Sequence, residues 1–201
     1  MNVLRLWVAV VVCALVVAGC STESPQSEPS ATTETVLPPP SFADLTPIFD
    51  PPLASLGVRL TRGALVSTVT RRPSPTGRHL ALYVEPTDSW TASRYADNVV
   101  PLTRMLATDV FGRWSGLESF DVCQEPPPGV DDRPEPPTVS TVELTRDASA
   151  DMDWSRVDLT GLLAASRERG RGVHIVASEA LRAEPAYQAA LAAAERSNQG
   201  D

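Results

Sequence analysis

The sequence predicts an α+β domain: a single β-sheet with helices packed on one face. Three observations carry this. Five short segments alternate apolar and polar residues, the period-two mark of half-buried strands. Longer segments between and after them repeat apolar residues three and four apart, the mark of amphipathic helices. From residue 78 onward the elements follow one another as β-α-β-β-α-β, with one more strand ahead of them and one more helix behind.

The first strand is read over 58–70. Val58 and Leu60, then Leu65, Ser67 and Val69, oppose Ala64, Val66 and Thr68, and Gly63 marks a bulge or tight turn. The second, 78–86, sets Leu80, Leu82 and Val84 against Ala81 and Tyr83 and stops at Pro86. A helix follows, capped by Asp88 or Ser89, with Tyr95, Val99, Leu102, Met105, Leu106, Val110 and Trp114 on its apolar stripe. Pro101 predicts a kink or a fresh start within it. The third strand, 118–124, places Phe120 and Val122 on one face and Asp121 and Cys123 on the other. A proline-rich acidic connection, 125–137, leads to the fourth strand, 138–146. Asp153 is read as the cap of a helix running to about Arg169, which Gly170 and Gly172 close. The fifth strand covers 173–178, and Pro185 opens a last Ala-rich helix to about residue 197.

The βαββαβ order resembles the ferredoxin-like, split βαβ layout, here with an extra N-terminal strand and C-terminal helix. In that layout the second and fifth strands are antiparallel neighbours. A doubly wound parallel sheet is the alternative. Neither architecture names a chemistry.

The amino terminus is more specific. One basic residue, Arg5, precedes an apolar run from Leu6 to Ala18. That run is too short to cross a bilayer, which needs roughly twenty residues, and it has the layout of a secretory signal. It ends Val17-Ala18-Gly19-Cys20. This resembles the lipobox of bacterial prolipoproteins. The resemblance implies that the Cys20 thiol receives a diacylglycerol and that cleavage before it makes Cys20 the first residue of the mature chain, held by acyl chains at the extracytoplasmic face of the cell membrane. All 17 basic residues are Arg, and Ala, Val and Pro are abundant, a bias that suits an actinobacterial member of that family. Residues 1–19 are then signal peptide, 20–44 a disordered Ser/Thr/Pro-rich tether, and 45–198 one globular domain. A tether of that length reaches roughly 25–30 Å.

The net charge of −8 disfavours nucleic acid and anionic headgroups as partners. Of three cysteines, Cys13 leaves with the signal and Cys20 is lipidated, so Cys123 stands alone in the mature domain. It is read as a small buried residue, with a reactive thiol as the sharper alternative; Asp121 on the same strand face is expected to raise its pKa. His79 and His174 are expected to be too far apart to share a metal. Asp147, Asp151 and Asp153 crowd one loop and offer oxygen to a cation, but the positions that an EF-hand needs carry Arg156 and Leu162. Asp131, Asp132 and Glu135 are read as a solvated loop. Arg167, Arg169 and Arg171 are read as a solvated helix end, with the gripping of an anion as the sharper alternative. Trp90, Tyr95, Trp114 and Trp154 are read as core. Asp121 and Glu143 form an acid pair only if the fold brings them together. No G-x-S-x-G elbow and no phosphate-binding glycine loop occurs. The sequence therefore predicts no catalytic residue, no cofactor and no metal. The expected function is a non-enzymatic binding protein of the cell envelope, with an envelope protein as partner; the alternative is a small-molecule or lipid carrier with a pocket between sheet and helices.

Overall fold

The computed structural model describes residues 35–39, 41–130 and 137–198. Val17, Ala18, Gly19 and Cys20, which resemble a lipobox, most of the expected tether, and Asp131, Asp132, Arg133 and Glu135 lie outside the described residues.

Five strands form one mixed sheet: β1 (Val58–Val66), β2 (His79–Pro86), β3 (Ser119–Gln124), β4 (Ser140–Thr145) and β5 (Val173–Ala177). The α+β class and the βαββαβ element order are as predicted. The sheet is ordered β1-β2-β3-β4-β5; β2 and β3 are parallel and every other pair is antiparallel. The expected pairing of the second and fifth strands is thereby corrected. Two strands separate β2 from β5, and the two run in the same direction.

Register sorts the side chains. Leu60, Leu65, Leu80, Leu82, Val84, Phe120, Val122, Val142, Leu144 and Val173 share one face and are all buried. Helix α2 (Ala92–Arg113) lays Val99, Leu102, Leu106 and Val110 on it. Its Phe111 meets Phe120 edge to face at 5.4 Å. Thr91, not Asp88 or Ser89, caps α2, and the helix runs through Pro101 as a single element. Helices α4 (Leu159–Arg167) and α6 (Pro185–Ser197) cover the β5 end with Leu162, Leu163 and Tyr187.

Four differences have local causes. Helix α1 (Phe42–Ala54) was not expected, because Pro47, Pro51 and Pro52 argue against it. It forms because Leu45, Phe49 and Leu53 fall on one stripe and are fully buried, with Ser41 as its cap. The ordered body consequently starts before residue 45: the Gly116 N–H donates to Val36 O at 2.8 Å. Strand β1 stops at Val66, where a turn closes from Arg71 N–H to Ser67 O, and its bulge lies between Leu60 and Arg62 rather than at Gly63. The segment after β4 holds two helices, α3 (Arg146–Asp151) and α4, and Asp158 caps α4 where Asp153 was expected. A short α5 (Glu179–Arg182) precedes α6. Gly172, at φ +70°, is where β5 passes so close to Thr145 that a Cβ would lie 2.1 Å from Oγ1.

Candidate functional site

The second face of the sheet carries the polar side chains. Directly opposite on β2 and β3, His79 and Ser119 share it with Asp121, two residues along β3. The His79 Nδ1 lies 2.8 Å from Ser119 Oγ, and its Nε2 lies 3.2 Å from Asp121 Oδ2. An Nε2–H aimed at the carboxylate leaves Nδ1 to accept the Ser119 hydroxyl proton. The three residue types are those of a nucleophilic relay, with the ring nitrogens exchanged relative to the usual serine hydrolase arrangement. His79 is only 1% exposed and Ser119 7%.

Asp121 also faces Glu143 across the β3–β4 ladder, so the acid pair considered from the sequence does meet. Glu143 stands opposite His174 on β5 and accepts from Arg71 at 3.1 Å. Arg71 belongs to the β1–β2 connection, so its side chain ties that connection to β4. Cys123, two residues beyond Asp121 on β3 and on the same face, is 4% exposed. Its thiol points to Asp121 Oδ1 at 3.9 Å and accepts from Thr141 Oγ1 at 3.5 Å. Burial first, and then the Asp121 and Glu125 carboxylates, push the thiol up to about 12; Thr141 and Arg62 oppose them only partly. Beyond it, Glu125 is buried, accepts from Thr61 at 2.5 Å and pairs with Arg62, whose guanidinium stacks 4.0 Å from the Tyr83 ring centre. Burial raises Tyr83 as well.

The two histidines lie on this same face but on strands β2 and β5. Three inter-strand spacings of roughly 4.8 Å part them, and they are not the antiparallel neighbours first expected. The Asp147, Asp151 and Asp153 cluster is dispersed: Asp147 lies in the first turn of α3, Asp151 ends it, and Asp153 Oδ1 accepts from Ser155. Among the described residues, no group of three or more His, Cys, Asp or Glu is placed to hold a metal ion. Trp90, Tyr95 and Trp114 are core residues, and the half-buried Trp154 donates to Ser149 O at 3.0 Å. Arg167 pairs with Glu195 and Arg171 with Glu168, so the arginine-rich helix end is partly neutralised.

Two of the surface concavities among the described residues have mostly apolar walls. One, of about 720 Å³, is an open groove between α1 and α2, lined by Ile48, Pro51, Pro52, Pro101 and Met105, with Arg104 and Asp109 among its polar groups. The other, of about 510 Å³, runs along β5, bounded by Leu163, Tyr187 and Leu191 and flanked by Arg167 and Arg182. Burial raises the Tyr187 phenol, and the Arg182 and Arg167 guanidiniums act against that shift. The sequence offered no sign of the His79–Ser119–Asp121 contact, because strand register alone creates it. The chain matches no family model, no curated protein and no solved structure.

Proposed function

We propose that this chain is a diacylglycerol-anchored, extracytoplasmic protein that binds an envelope protein and catalyses no reaction. The lipobox at Val17–Cys20 supports the anchor. The observation that carries the non-enzymatic reading is the state of the one cluster with catalytic residue types. Both ring nitrogens of His79 are engaged, Ser119 is buried, and the Cys123 thiol holds its proton far above neutral pH. A nucleophile needs the deprotonated thiol, or a hydroxyl that a substrate reaches. The layer between sheet and helices is filled by Leu82, Leu102, Leu106 and Phe120, each at most 1% exposed. That favours binding at the surface over carriage in an interior pocket.

Labelling the native protein at neutral pH with a fluorophosphonate and with iodoacetamide tests this reading. We expect no adduct at Ser119 or Cys123, while in-cell crosslinking captures a protein partner. An adduct at Ser119 that disappears in His79→Ala would overturn the proposal in favour of a hydrolase.

A further inference from the structure

The two edges of the sheet are treated differently. At the β1 edge, Asp50 of α1 accepts the Leu60 N–H at 3.1 Å, so a helix satisfies part of that strand. β5 is the opposite edge and pairs with β4 alone. Its ladder is bracketed by Thr145 N–H to Gly172 O and by Ser178 N–H to Val139 O, both 2.8 Å. Antiparallel pairs alternate, so the peptide groups of His174 and Val176 turn inward to β4. Those of Val173, Ile175 and Ala177 turn outward. Among the described residues, no hydrogen bond joins these outward groups to another element. Edge strands are commonly blunted by Lys, Pro or an inward-pointing charge. β5 has none of these, and its Val176 is 49% exposed.

The concavity beside this edge has a definite chemistry. Four consecutive strand residues, 174–177, form one wall. Leu163, Tyr187 and Leu191 supply apolar surface, and the guanidiniums of Arg167 and Arg182 line it beside the His174 ring. No carboxylate lines it among the described residues. Arg182 forms no ion pair among the described residues, in a chain whose net charge is −8. A positive, apolar cleft along unpaired peptide groups is complementary to one kind of partner.

We infer that the β5 edge is a docking site for an extended acidic peptide segment of an envelope protein, which adds to the sheet as a sixth strand. Its main chain pairs with the outward groups of Val173, Ile175 and Ala177. Its acidic side chains meet Arg182, with Arg167 already paired to Glu195 beside it, and its apolar ones lie against Leu163, Tyr187 and Leu191. The inference rests on the binding-protein reading above and gives it a surface and a partner chemistry.

The test uses the full-length, detergent-solubilised chain and a fluorescein-labelled peptide of alternating Glu and Val, with the Lys-for-Glu peptide as control. Anisotropy should show saturable binding of the acidic peptide alone, weaker at high salt. Arg182→Glu should weaken it about tenfold or more. Ile175→Pro removes one outward N–H without touching the β4 ladder and should abolish binding. If that variant folds poorly, amide exchange on the unaltered protein decides: Val173, Ile175 and Ala177 should slow when the peptide is bound. No saturable binding, equal binding of the Lys peptide, or protection confined to other strands overturns the site. Crosslinked capture of a protein partner that survives both substitutions also overturns it, and leaves the binding-protein reading standing.

Discussion

The Cys123 thiol lies away from water and beside carboxylates, and both circumstances favour its protonated form. Its folded-state pKa, about 12, exceeds the ordinary 9.0. Below the ordinary value, folded and unfolded chains both keep the proton and the stabilisation is fully present. As pH rises from about 9 to about 12 the unfolded chain releases the proton while the folded chain holds it, so stability falls. Tyr83, Tyr95 and Tyr187 are also raised by burial and push in the same direction. The Cys123→Ala difference isolates the thiol: its urea midpoint should fall less steeply than the parent's across this window. Parallel curves would show that the thiol titrates alike in both states. The effect of Asp121 was legible in the sequence, because residues two apart on a strand share a face. The place of His79 was not, since its contacts with Ser119 and Asp121 depend on which strand lies beside β2 and in what register.

Helix boundaries show the same division. Asp158 Oδ1 accepts the Gly161 N–H at 2.8 Å and caps α4, whereas Asp153 closes only a local turn onto Ser155. Asp158→Ala should therefore cost about 1 kcal/mol in urea unfolding, and Asp153→Ala distinctly less. Equal costs would restore the single helix expected from 153. The strands were legible to within a few residues because alternation reports burial directly. β1 was read too long because alternation continues through Val69, while the chain turns back at Arg71, whose φ is +55°. α1 was missed because its prolines weigh against a helix in any local reading. Three fully buried apolar side chains outweigh that penalty, and only the packed sheet supplies what they bury against. The edge cleft was invisible for a related reason: it needs α4, β5, α5 and α6 together.

At the scale of the molecule, the anchored reading places an acidic body at the end of a tether beside an anionic surface, where like charge holds the two apart. Cys20→Ala should then lose palmitate incorporation and move from the detergent phase to the aqueous phase; unchanged partitioning would end the anchored reading. The sheet itself has a consequence for how such a chain is made. Its strands lie in the order in which they are synthesised. A polypeptide appearing amino end first can lay each strand against one already in place, and none has to be wedged between two later arrivals. Pairing partners are consecutive throughout; the β2–β3 step waits for α2 and the β4–β5 step for α3 and α4, while the other two steps close loops without a helix. Growth from a single side lets a half-delivered chain accumulate native structure while its remainder is still in transit.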